Sequence, residues 1–136
     1  MEVIYAIEEH LEADEFIEVL KESGLAERRP VKDRAQIEKM LANANLIVTA
    51  RLNGKLIGVA RSLSDFAYCT YLSDLAVSLE HQRKGIGREL IRFTKETAGE
   101  AKLILLSAPA AVDYYPRIGM KKHNHCFLLD DIKELK

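Results

Sequence analysis

The hydrophobic period of this chain changes several times, and each change marks an element. Residues 2–7, EVIYAI, form a short apolar, β-branched run that reads as a first strand. Ala13, Phe16, Ile17 and Leu20 then recur at helical spacing, with Glu12, Glu15, Glu18 and Glu22 on the opposite face and Ser23-Gly24 as the stop. Asp33 is placed to cap a second amphipathic helix that buries Ile37, Met40, Leu41 and Ala44. The period then shortens to two. NLIVTARL and KLIGVARS flank Asn53-Gly54, a strong signal for a two-residue hairpin turn. YCTYLSDLAVSL (68–79) reads as a long strand, and the stripe of Ile86, Leu90, Phe93 and Ala98 predicts a helix over 84–98. KLILLS (102–107) is nearly continuous in apolar residues, which predicts a strand buried on both faces. Pro109 opens a short helix through PAAVDYYPRIG that closes around Pro116 and Gly119, and HCFLLD (125–130) predicts a last strand.

The resulting order, β-α-α-β-β-β-α-β-α-β, describes an α+β domain with a mixed, mostly antiparallel central sheet and helices on both faces. The β-α-β crossover over 68–107 supplies its parallel pair. With 136 residues, no internal repeat and no linker-like tract, residues 1–136 read as a single domain.

Composition narrows the function classes. The chain is 48% hydrophobic and 30% charged with a formal net charge of -1, which argues against a general nucleic-acid binder. Cys69 and Cys126 show no CxxC spacing, so neither a disulfide framework nor a zinc site is indicated, and a cytoplasmic setting is expected. The N-terminus lacks the basic start and apolar run of a signal peptide, and no segment approaches the roughly 18 apolar residues of a membrane span.

The candidate chemistry lies in HQRKGIGREL (81–90), where Gly85 and Gly87 stand at the junction of the long strand and the following helix. A glycine inside a helix costs about 1 kcal/mol relative to alanine, so its presence there needs a reason. One reason is a tight turn with solvated basic neighbours. The other is an anion site, in which the unpaired N–H groups and the dipole of the helix N-terminus meet a phosphate, aided by Arg83, Lys84 and Arg88. The sequence lacks GxxxxGK[ST], and Leu90 stands where GxGxxG would need its third glycine, so neither a Walker loop nor a dinucleotide fingerprint is present.

LAVSLEHQRKGIGREL resembles motif A of the GNAT superfamily of acyl-CoA-dependent N-acyltransferases, whose core is Q/R-x-x-G-x-G/A, with Gln82, Gly85 and Gly87 in register. AVDYYPRIGM is similar to the family's A-x-x-F-Y-x-x-x-G-F segment through Ala111, Tyr114, Tyr115, Gly119 and Met120, and the element order agrees from end to end. Two departures stand out: Ala108 occupies a position where the family commonly has an asparagine that contacts the cofactor, and Pro116 directly follows the tyrosine pair.

The resemblance implies acetyl-CoA or a related acyl-CoA as donor and an amine as acceptor, with direct attack in a ternary complex. It places the pyrophosphate on the backbone of Arg83, Lys84, Gly85, Ile86, Gly87 and Arg88. It also implies that the preceding strand bulges and splays, so that Leu75, Ala76 and Val77 present backbone groups to the pantetheine arm. Tyr115 then resembles the general acid that protonates the departing sulfur, with Tyr114 as its core-facing neighbour. A helix tyrosine packed on the sheet is the simpler role for Tyr115. Asp74, one residue before the cofactor-binding backbone and on the same face as Ala76, is either the base that receives the amine proton or an ion-paired structural carboxylate. His123 and His125 make two ligands without a third, so no metal is expected. The helix pair at the start, the SLSDFAY region (62–68) and the last strands would border the acceptor, and a homodimer is compatible with the family. The alternative in another class is a non-catalytic CoA-binding regulatory or interaction module on the same fold; an unrelated phosphate-binding domain is a third.

Overall fold

The computed structural model describes residues 2–136, which form two compact units, 2–106 and 107–136. In the first unit the order is β1 (Val3–Ile7), α1 (Ala13–Ser23), α2 (Arg34–Asn43), β2 (Leu46–Leu52), β3 (Lys55–Ser64), β4 (Cys69–Val77), α3 (Ile86–Ala98) and β5 (Lys102–Leu105). Among the described residues these strands make one sheet in the order β1-β2-β3-β4-β5. The first four are antiparallel neighbours and β5 runs parallel to β4.

Local chemistry explains the ends of these elements. Gly24 stops α1 at φ 87°, a left-handed conformation that costs glycine little. Asp33 caps α2 by accepting the N–H of Gln36 at 3.1 Å. Asn53 and Gly54 both have positive φ, as a type I′ turn requires, and they join β2 to β3.

Helices cover both faces. Phe16, Leu20, Ile37 and Leu41 of α1 and α2 pack with Ile47, Val59 and Ala76 on one face. Ile86 and Leu90 of α3 pack with Val48, Ile57, Ala60 and Leu72 on the other. Because β2 and β3 are sandwiched in this way, residues 46–50 and 56–62 are buried without alternation. Gly58 leaves room for α3 against β3. A Cβ there would meet Leu90 Cδ1 at 3.1 Å, Ile86 Cγ2 at 3.3 Å and the Ala76 carbonyl oxygen at 3.4 Å.

Three expectations are corrected. β5 is not buried on both faces: it is a four-residue edge strand of alternating exposure, and Ile104 remains 45% accessible, because β4 pairs with only one of its sides. In the second unit, the helix expected through 109–119 divides into a 3-10 turn at Pro109–Ala111 and a short α4 (Tyr114–Arg117). Pro116 sits within the first turn of α4, where its missing N–H breaks no helical bond. Residues 125–130 form no strand. Strand structure requires a ladder partner, and the consecutive exposed side chains of Phe127, Leu128 and Leu129 lack the alternation that would give the segment one buried face.

Candidate active site at the β4–α3 junction

The β3–β4 ladder shifts register at Ser73. Arg61 of β3 pairs with Asp74 and Ser62 pairs with Leu72, so Ser73 is the extra residue of a β-bulge. Leu72 therefore points into the α3 core, whereas Ala76 belongs to the core beneath α1 and α2. The parallel pairing with β5 ends at Leu72↔Leu105, one residue before the bulge. From Asp74 to Val77, β4 remains paired to β3 but no longer to β5. Leu75, Ala76 and Val77 all lie in this stretch, beyond the end of β5.

The chain leaves β4 through a tightly bonded turn. Ser78 N–H donates to the Ile57 carbonyl at 2.9 Å, His81 N–H to the Ser78 carbonyl at 2.9 Å, and the Gln82 side-chain amide to the Val77 carbonyl at 2.8 Å. Arg83 then adopts φ 64° and Gly85 φ 83°. Among the described residues, no side chain caps α3. Its first regular bond runs from Glu89 N–H to the Gly85 carbonyl, so the N–H groups of Ile86, Gly87 and Arg88 face outward from the helix start. A Cβ at Gly85 would meet nothing within 4 Å, so open space surrounds this turn. Arg83, Lys84 and Arg88 are exposed, and Arg88 makes a long 3.8 Å contact to Glu89. An uncapped helix N-terminus beside exposed cations is suited to an anion.

Asp74 is fully buried. One carboxylate oxygen accepts from Arg29 Nε and the other from Arg61 Nε. Arg29 also donates through Nη2 to the Ser73 carbonyl at 2.8 Å, and Arg61 reaches the Ser73 hydroxyl and the Met40 carbonyl, each at 3.0 Å. Asp74 is thus the centre of an ion-paired network, with neither oxygen turned to solvent. Sequence reasoning singled out neither arginine. The available signal was Arg61 itself, a charge inside an otherwise buried strand, which demands a buried partner.

In the second unit, Tyr114 and Tyr115 are both half-buried and meet edge to face at 5.3 Å. Burial, and then neighbouring Tyr114, raise the Tyr115 phenol above the ordinary tyrosine range. Met120 N–H donates to the Tyr115 carbonyl and Gly119 N–H to the Pro116 carbonyl, a Schellman closure made at Gly119 with φ 99°. His123 and His125 lie with ring centroids 5.4 Å apart, and His125 N–H donates to His123 Nδ1. Among the described residues no group of three or more His, Cys, Asp or Glu is arranged to hold a metal ion, and no helix is long and apolar enough to cross a membrane.

Solved structures that share this fold include proteins described as acetyltransferases. A GNAT-family acetyltransferase protein from Streptococcus pneumoniae TIGR4 superposes with a TM-score of 0.78 at 19% identity, covering 96% of this chain and 98% of that one. An aminoglycoside acetyltransferase from an uncultured soil metagenomic sample, in complex with sisomicin, gives 0.67 at 20% identity over 95% and 97%. An aminoglycoside N-acetyltransferase in complex with CoA gives 0.71 at 14% identity over 96% and 95%. No curated protein matches the sequence. Residues 16–134 match the acetyltransferase (GNAT) domain, and the chain belongs to that family.

Proposed function

We propose that this protein transfers an acetyl group from acetyl-CoA to a primary amine of a small molecule or a protein. The observation that carries this reading is the stretch of β4 after Leu72, paired to β3 but beyond the end of β5, followed by the uncapped start of α3. Together they offer an extended, half-paired backbone for a pantetheine arm and a cationic helix N-terminus for its phosphates. The space around Gly85 accommodates a group brought close to the backbone. The neighbours bound to CoA and to sisomicin support a thioester donor and an amine acceptor, respectively.

Bound acyl-CoA supplies an activated acyl group and a thiol leaving group. In this reading the N–H groups of Ile86, Gly87 and Arg88 bind phosphate oxygens, and Arg83, Lys84 and Arg88 add charge. The backbone of Leu75, Ala76 and Val77 orients the donor and aims N–H dipoles at the carbonyl oxygen, which gains negative charge during attack. Tyr115 holds a proton at its phenol oxygen for the departing sulfur, and its raised phenol stays protonated throughout the neutral range. Asp74 is assigned to holding Arg29 and Arg61 rather than to proton abstraction, because both oxygens are engaged and buried. Water carries the amine proton instead.

The test has two stages. CoA and acetyl-CoA should raise the melting temperature of the parent protein, and a panel of primary amines with acetyl-CoA should then release free thiol. Stabilisation without thiol release for any amine would favour the binding module. Absence of both would reject the acyl-CoA reading.

A further inference from the structure

We propose that Arg29 is a positioning residue that fixes β4 where its pairing with β5 ends and ties that point to the connection between α1 and α2. The proposal rests on the acyl-CoA reading for its consequence, but its physical basis is the network around Ser73. Ser73 is both the extra residue of the bulge and the first residue past the last β4–β5 pair. Its carbonyl is held by Arg29 Nη2 and its hydroxyl by Arg61 Nη2. Asp74, the next residue, fixes both guanidiniums through Nε.

The two arginines differ in what they anchor. Arg61 belongs to β3 and also donates to the Met40 carbonyl in α2, so it joins pieces of the core. Arg29 follows the 3-10 turn Leu25–Arg28 in the α1–α2 connection and is partly solvent-accessible, at 22% of its side chain. Its planar guanidinium presents N–H groups in fixed directions, so one side chain grips the Asp74 carboxylate and the Ser73 carbonyl together. Beyond this grip, Leu75 to Val77 have β3 on one side and no β5 on the other. Arg29 therefore occupies the place where the ladder stops, and it carries the α1–α2 connection to the same point. Displacing it loosens the backbone assigned to the donor and also moves the segment assigned to the acceptor.

Arg29→Lys separates this role from simple charge pairing. The ammonium can replace the charge beside Asp74 but lacks the fork that also holds the Ser73 carbonyl. Arg61 remains with Asp74 in the variant, so the carboxylate stays paired. The full chain is studied by amide hydrogen exchange over 72–78 and by calorimetry with CoA. Kinetics follow with any amine found in the acceptor panel. The expected result is faster exchange at Leu75–Val77, a roughly tenfold weaker CoA Kd and a raised acceptor KM, with kcat changed less. Ser73→Ala is the second variant: it removes the hydroxyl bond to Arg61, leaves the carbonyl bond to Arg29, and should keep CoA affinity within about twofold of the parent.

Unchanged exchange and CoA affinity in Arg29→Lys would overturn the proposal. An equal loss in Ser73→Ala would do the same, because it would assign the effect to general packing of the bulge. If the parent itself does not bind CoA, the acyl-CoA reading fails and the exchange comparison alone decides the role of Arg29. If Arg29→Lys does not fold, Arg29 is a general stability residue and the positioning role is rejected.

Discussion

Gly58 is the point where packing and the proposed phosphate site can be perturbed by one methyl group. It lies in β3 beneath the first turns of α3, and a Cβ would stand 3.1 Å from Leu90 Cδ1 and 3.3 Å from Ile86 Cγ2. Both are closer than ordinary carbon contacts of about 3.5–4.0 Å. Neither side chain is free to withdraw: Leu90 is 0% and Ile86 5% accessible, and the third neighbour is the backbone carbonyl of Ala76. Overpacking of this kind costs about 1–3 kcal/mol. Replacing glycine by alanine returns about 0.4–1 kcal/mol by restricting the unfolded chain. The net loss for Gly58→Ala is thus about 1 kcal/mol, or a fall of roughly 3–5 °C in Tm for a chain of this size. The strain is relieved most easily by lifting the N-terminal half of α3, where the phosphates are proposed to bind, so the CoA Kd should rise as well. Thermal unfolding with and without CoA reads both effects, and Gly58→Val should exaggerate them. A Tm at or above that of the parent would refute the claim that this contact sets the helix position.

Tyr115→Phe keeps the ring but removes the proton donor, so kcat should fall by about 10²-fold with CoA binding and Tm little changed, whereas Tyr114→Phe should be nearly silent in kcat. Equal kcat for Tyr115→Phe and the parent would remove the acid assignment. Neutralising Arg83, Lys84 and Arg88 together to glutamine should weaken CoA binding and flatten its salt dependence, as calorimetry at two ionic strengths would show. Asp65 accepts the N–H groups of Ala67, Tyr68 and Cys69, and these bonds lower its carboxyl from 3.8 to about 2. Its folded value lies below its unfolded one, so its stabilising effect is present above pH 3.8 and fades as the pH falls toward 2. The Tm gap between the parent and Asp65→Ala should accordingly close across that window, and a gap that persists to pH 2 would contradict the assignment.

Much of the first unit was determined by the sequence itself. The stripes of Phe16 and Leu20, of Ile37 and Leu41, and of Ile86 and Leu90 each specify a helix face. Asn53-Gly54 specifies a turn whose positive φ angles few other pairs adopt readily. These signals are local, so they survive without knowledge of the partner. The β4–α3 loop was legible for the same reason, since Gln82, Gly85 and Gly87 are close in sequence. The bulge at Ser73 and the Arg29–Asp74–Arg61 network were not, because they join residues 44–45 and 13 positions apart and depend on strand register. Asp74 illustrates the difference. Its residue type allows a base, but its burial between two guanidiniums is a property of the folded neighbourhood alone. β5 and the segment 125–130 show the same limit from the other side. Both have strand-like composition, yet exposure and strand structure are decided by what lies alongside. Composition specifies the capacity of a segment to pair; only the assembled sheet determines whether a partner is there.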